Sequence, residues 1–80
     1  MTLNEAIANR ICEECKMRDI SINHLANISG ITQSTLNNIV HGSSKNPTVS
    51  TVKKICDGLD ISMVDFFSSS QFTQLEQEVK

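Results

Sequence analysis

The stretch LANISGITQSTLNNIV, which runs from Leu25 to Val40, decides the fold because its residues are spaced as two short helices joined by a tight turn. Ala26 is small enough to let two helices cross closely, and Gly30 can adopt the positive φ that a sharp turn requires. Leu36 and Ile39 follow at helical spacing, so they would bury the second helix against the first. The stretch therefore predicts a helix-turn-helix unit.

Hydroxyl residues that precede periodic apolar segments predict where the helices begin. The predicted N-caps are Thr2, Ser21, Thr32, Thr48 and Ser62. Glu5 completes a capping box with Thr2, and the first helix should end near Arg18 or Asp19. The apolar positions expected to face inward are Ile7, Ile11, Cys15, Ile22, Leu25, Ala26, Leu36, Ile39, Val40, Val49, Val52, Ile55, Cys56, Leu59, Met63, Phe66 and Phe67. The residues expected on the solvent side of the first helix are Glu13, Glu14, Lys16 and Arg18.

The length and composition predict one globular domain. Eighty residues, 39% hydrophobic and 20% charged, suit a single small core. Five short helices with short connections predict an all-α fold, a compact five-helix bundle. We expect the bundle to occupy residues 1–67. Residues 68–80 should form a short C-terminal tail that is either partly ordered or an extra short helix containing Phe72.

The charged residues are unevenly distributed, although the net charge is only −2. The window from Ile20 to Cys56 contains three lysines and no acidic residue, whereas the rest of the chain contains nine acidic residues against four basic ones. A polyanion responds to the local field rather than to the net charge. An acid-free segment rich in amides and hydroxyls is therefore compatible with a nucleic-acid partner.

The segment from Ile20 to Phe67 resembles the Cro/cI-type (XRE-like) helix-turn-helix domains of phage repressors and bacterial regulators, and the resemblance extends back to about Leu3. The motifs that carry it are Leu25-Ala26, Gly30-Ile31-Thr32, Ser34-Thr35-Leu36, Asn46-Pro47-Thr48, Ile55 and Phe66-Phe67. The resemblance implies a bundle of lambda-repressor-like type. It also implies double-stranded DNA as the partner, with the second helix of the unit in the major groove.

The resemblance also implies which residues meet DNA. The residues that open and continue the DNA-facing side of the third helix are Thr32, Gln33, Ser34, Thr35, Asn37 and Asn38. The loop residues expected at the sugar-phosphate backbone are Ser43, Ser44, Lys45 and Asn46. The amides can pair bidentately with adenine, and hydroxyls and lysine suit phosphate contacts.

The chain departs from the family pattern in two ways, one at a single position and one at a pair of positions. Ile22 stands where the family commonly has a glutamine that clamps a phosphate, so we expect Ser21 or Asn23 to supply that contact. Cys15 and Val40 stand where the family often has a paired arginine and glutamate. Replacing a buried ion pair with packed apolar groups is often neutral or stabilising, so we expect Cys15 to contact Val40 in the core.

These observations predict a sequence-specific DNA-binding transcriptional regulator of repressor type. We expect a near-palindromic operator bound by a homodimer, because one recognition helix reads few bases. The dimer surface would be the region of the fourth and fifth helices with Phe72 and the tail. No cofactor, metal or small-molecule ligand is evident, and no catalytic constellation indicates an enzyme. With no signal peptide and no apolar run of about 18 residues, we expect a cytoplasmic location and no membrane association.

Two alternatives stay open at this stage. One is a protein-interaction module or antitoxin that uses the helix-turn-helix fold to bind another protein, which the low positive charge allows. The other is a metal or redox role for Cys12 and Cys15, whose spacing supplies half of a structural zinc site. Cys56 with His24 or His41 would have to complete that site.

Overall fold

The computed structural model describes residues 1–41 and 47–79 and contains five α-helices followed by one 3₁₀ turn. The helices are α1 (Leu3–Arg18), α2 (Ile22–Ser29), α3 (Gln33–Val40), α4 (Val49–Leu59) and α5 (Met63–Phe66), and the 3₁₀ turn is Ser70–Thr73. Within these ranges the chain has no strand, which confirms the predicted all-α fold.

Every α-helix begins after the hydroxyl residue predicted to cap it. The hydroxyls of Thr2, Ser21, Thr32, Thr48 and Ser62 each accept a hydrogen bond from the backbone N–H three residues on. The capping box is complete, because Glu5 Oε1 accepts from the Thr2 backbone N–H at 2.9 Å. The hydrogen bonds from the Thr2 backbone and side chain lower the pKa of Glu5 below its ordinary value. At its C-terminal end, α2 is closed by Gly30 with φ 70°.

The core forms where α1, α2, α3 and α4 meet over the ring of Phe66. The buried apolar residues of this cluster are Ile7, Ile11, Cys15, Leu25, Ala26, Leu36, Ile39, Val52, Ile55, Cys56, Leu59 and Phe66. All of them were expected to face inward. The helix-turn-helix unit therefore contributes only one side of α2 and α3 to the core, and their other sides remain exposed.

Three expectations about burial were wrong. Glu14, expected on the solvent side, is only 3% exposed. Val49 is 74% exposed, because it is the first residue of α4. The contact of Gly58 with Ser29 of α2 lies at the other end of α4. Phe67 is 38% exposed, because it lies just after the last residue of α5. One part of its ring packs edge-on against the ring of Phe66, and the rest faces solvent.

Glu14 is buried because two arginines of the same helix enclose it. Arg10 Nη1 lies 3.3 Å from Glu14 Oε2, and Arg18 Nη1 lies 3.0 Å from Glu14 Oε1. Arg18 Nη2 also donates to the carbonyl of Leu59 at the end of α4. Arg10 donates to the carbonyls of Asp65 and Phe66 at the end of α5. This arginine–glutamate cluster of Arg10, Glu14 and Arg18 thus ties α1 to two other helices.

The tail packs back onto α1. Phe72 is half-buried, with its ring centroid 4.9 Å from that of Phe67 and 6.1 Å from that of Phe66. The Glu76 backbone N–H donates to the Met1 carbonyl at 2.9 Å. Val79 is 78% exposed. Phe72 therefore forms an aromatic cluster with Phe66 and Phe67. The domain boundary after Phe67 and a role of Phe72 in a dimer surface stay predictions.

The closest approach of α2 to α4 depends on Gly58. A Cβ at this position would lie 2.3 Å from Ser29 Oγ and 3.1 Å from Ser29 Cα. We expect Gly58→Ala to lower the free energy of unfolding, measured in urea, by about 1–3 kcal/mol through overpacking. The double variant Ser29→Ala with Gly58→Ala should recover part of this loss, since it removes the nearer atom. No recovery would show that the contact with Ser29 Oγ is not the cause.

Candidate nucleic-acid interface

Helix α3 has one apolar side and one polar, uncharged side. Leu36 and Ile39 are buried, with exposed fractions of 0% and 3%. Around the rest of the helix, the exposed side chains are those of Gln33, Ser34, Thr35 and Asn38. These four predicted contact residues lie close together, because α3 is only eight residues long. A short helix with an amide and hydroxyl side can enter a groove without placing an acid against phosphate.

The hydroxyls at the start of α3 are partly engaged with each other. Thr32 Oγ1 accepts from the Thr35 backbone N–H at 3.0 Å and donates to Thr35 Oγ1 at 2.7 Å. Thr35 therefore keeps its own hydroxyl proton for a partner outside the protein. Thr32 holds the first turn of α3 in place and turns the hydroxyl of Thr35 into a donor.

Asn37 links α3 to α2. Its Nδ2 donates to the backbone carbonyl of Gln33 at 2.8 Å and to Asn23 Oδ1 at 3.1 Å. Asn37 is half-buried and Asn23 is exposed. Nothing in the sequence indicated that these two predicted contact residues, fourteen positions apart, touch each other.

The start of α2 offers polar groups on either side of Ile22. Ile22 is half-buried and packs against the core, so it presents no polar atom to a ligand. Ser21 is exposed, and its Oγ accepts from the His24 backbone N–H at 3.0 Å, which leaves the hydroxyl proton available. Asn23 follows Ile22 in the first turn of α2. Both residues expected to replace the family glutamine therefore lie at the surface.

One of the lysines of the acid-free window is paired with an acid that lies just outside the window. Lys53 forms an ion pair with Asp57, one residue beyond the acid-free window. The hydrogen bond to Asp57 raises the pKa of Lys53. The predicted phosphate contacts Ser43, Ser44, Lys45 and Asn46 lie outside the described residues.

The pattern of helices and the exposed side of α3 agree with a family comparison. Residues 9–71 match the Cro/C1-type HTH DNA-binding domain. The chain belongs to this family. Comparison with curated proteins and with solved structures found no significant match. Family membership confirms the resemblance stated from the sequence and makes this chain a DNA-binding domain.

The apolar pair that departs from the family pattern lies at the core and its edge. Cys15 is buried, and Val40 is half-buried and packs against the core cluster. Val40 also lines a polar depression with Asn4 and Ala8 of α1. Direct contact between Cys15 and Val40 stays a prediction.

The cysteines differ in accessibility. Cys12 is exposed, whereas Cys15 and Cys56 are buried. Among the described residues, no three histidine, cysteine or acidic side chains are grouped closely enough to hold a metal ion. In the same part of the chain, no helix is both long and apolar enough to cross a bilayer.

We expect one thiol per chain to react with a soluble disulfide reagent in the native protein and all three after denaturation. Burial raises the pKa of Cys15 and of Cys56, so neither forms the reactive thiolate readily. The two buried thiols contribute their full stabilisation of the folded state when the pH is below the ordinary pKa of a thiol. This contribution is lost as the pH rises through the raised pKa values of Cys15 and Cys56. Rapid native labelling of three thiols would contradict the burial of Cys15 and Cys56.

Proposed function

We propose that this protein is a sequence-specific transcriptional regulator of repressor type that reads the major groove with α3. The observation that carries the proposal is the exposed row of uncharged hydrogen-bonding side chains on α3, placed opposite a buried apolar side. A repressor acts by occupying its operator, and core residues of α1, α4 and α5 support the helix-turn-helix unit.

Base reading is assigned to the exposed side of α3. Gln33 and Asn38 each carry an amide with a donor and an acceptor, which suits bidentate pairing with adenine. Ser34 and Thr35 add hydroxyls that can donate to base edges or to nearby phosphates. Gln33 is the first residue of α3, and N-terminal residues of a recognition helix lie nearest to the bases.

Contacts with the DNA backbone are assigned to residues at the start of α2 and on either side of α3. Ser21 and Asn23 lie at the start of α2, and Thr32 caps α3. Ser43, Ser44, Lys45 and Asn46 are included from the sequence alone. Such contacts position a protein on DNA without selecting its sequence.

We propose that two copies bind a near-palindromic operator. At about 1.5 Å per residue, α3 is about 12 Å long and spans only a few base pairs. Phe72 is half-buried, whereas other apolar side chains of the proposed dimer region are exposed, namely Val49 at 74%, Val64 at 80%, Phe67 at 38% and Val79 at 78%. Sedimentation should detect a dimer at high concentration or on DNA. A strict monomer under both conditions would refute this part of the proposal.

In-vitro selection of bound duplexes tests the function directly. We expect one motif to be enriched, with two related halves, and an affinity that falls steeply as the salt concentration rises. If no motif is enriched and duplex binding shows no salt slope, the proposed function is wrong. A protein partner would then have to be sought.

Gln33→Ala should relax the sequence preference at one or two base pairs of each half-site. Loss of a bidentate contact costs about 1–3 kcal/mol of discrimination, which a second round of selection would measure. Lys45→Ala is the matched comparison, and should weaken binding to all duplexes and lower the salt slope by about one. An unchanged preference in Gln33→Ala would remove Gln33 from the base-reading set.

A further inference from the structure

The hydrogen bonds of Asn37 determine the orientation of two side-chain amides. A backbone carbonyl only accepts hydrogen bonds, so the Asn37 amide must turn its nitrogen toward the Gln33 carbonyl, 2.8 Å away. The same nitrogen lies 3.1 Å from the Asn23 amide, which must therefore present its oxygen. One backbone carbonyl thus sets the orientation of both amides.

This orientation gives the two asparagines different capacities. Both hydrogens of Asn37 Nδ2 are used within the protein, and only Asn37 Oδ1 remains for an outside partner. A bidentate contact with adenine needs a donor as well as an acceptor. Asn23 is in the opposite situation: its oxygen accepts from Asn37, and that hydrogen bond uses neither N–H group of its Nδ2. Two N–H donors at an exposed position suit the oxygens of a phosphate.

We propose that Asn37 is a positioning residue that orients Asn23, and that Asn23 Nδ2 donates to a phosphate of the DNA backbone. This inference rests on the proposed function. Asn23 is exposed in the first turn of α2, directly after Ile22, whose side chain has no polar atom. The amide pair therefore supplies a phosphate contact from α2. The hydrogen bond within the pair ties the position of that contact to α3.

The test is a scan in which each phosphate of the selected duplex is replaced in turn by an uncharged methylphosphonate. The wild-type protein should lose affinity at each phosphate that it contacts, and the loss at the phosphate bound by Asn23 should be about tenfold, as expected for a hydrogen bond to a charged group. Asn23→Ala and Asn37→Ala should each bind the unmodified duplex about tenfold more weakly than the wild type, and they should no longer respond to replacement of the phosphate that Asn23 contacts. The double variant should be no weaker than either single variant.

Asn27→Ala is the control, because Asn27 is exposed on the same helix and should bind like the wild type. Urea unfolding of each variant separates binding from stability. A changed base preference in Asn37→Ala would make Asn37 a base reader, and unchanged affinity would remove its role. Either result overturns the inference. If Asn37→Ala fails to fold, the methylphosphonate scan with Asn23→Ala tests the inference instead. The inference is overturned if Asn23→Ala responds to the replacements as the wild type does. Failure of the wild type to select any duplex would instead overturn the proposed function.

Discussion

Replacing Glu14 with alanine is expected to lower the free energy of unfolding by about 3–5 kcal/mol, because it breaks the ion pairs of a buried carboxylate with two arginines whose side chains are only 15% and 32% exposed. Glu14 is 3% exposed, and each of its carboxylate oxygens faces a different arginine, at 3.3 and 3.0 Å. Without the carboxylate, Arg10 and Arg18 would lie near each other with like charge. Both also hold carbonyl groups at the ends of α4 and α5, so the loss would extend beyond α1.

Glu13→Ala provides the matched control. Glu13 is the preceding residue of the same helix, its side chain is 54% exposed, and it lies 3.9 Å from Arg10. An exposed pair of this kind contributes about 0–1 kcal/mol. Urea unfolding of the two variants side by side would measure the difference. Equal losses would show that the burial of Glu14 between two arginines has no energetic consequence.

Phe66→Ala is expected to cost about 3–5 kcal/mol, because it removes a large side chain from a packed core and leaves a cavity. Phe66 is fully buried, its ring lies 5.0 Å from that of Phe67, and the Arg10 guanidinium lies 5.9 Å above its centroid. Small domains have free energies of unfolding of about 5–15 kcal/mol, so this variant should lose a large part of its stability. Circular dichroism during urea titration would show the shifted midpoint.

The comparison with Phe67→Ala separates burial from aromatic contact. Phe67 also packs edge-on against Phe66 and Phe72, yet it is 38% exposed. We expect its replacement to cost clearly less than that of Phe66, since less apolar surface returns to water. If the two variants were equally unstable, contact within the aromatic cluster, and not burial, would account for the effect.

Local signals were enough to predict the helices. A hydroxyl cap acts within three residues of itself, and apolar periodicity acts within one helix. For this reason Thr2 and Ser62 marked true helix starts, and Leu36 and Ile39 were correctly placed on the buried side of α3. The exposed side of α3 followed as the remainder of the same periodic pattern.

The environment of Glu14 could not be predicted in this way. A glutamate among charged residues on a helix is usually solvated. Its burial depends on Arg18 reaching the Leu59 carbonyl and on Arg10 reaching the Phe66 carbonyl, 41 and 56 positions along the chain. The spacing of residues within α1 gives no information about the positions of the Leu59 and Phe66 carbonyls.

The sequence by itself determined five helices, a glycine-closed turn and a third helix with one apolar and one polar side, because each of these depends on neighbours within about one or two helical turns. Only the tertiary structure decided that Glu14 is buried, that Val49 is exposed and that both N–H groups of the Asn37 side chain donate to acceptors within the protein. Those outcomes depend on which groups of different helices meet, and the meeting of helices is set by the packing of the whole core.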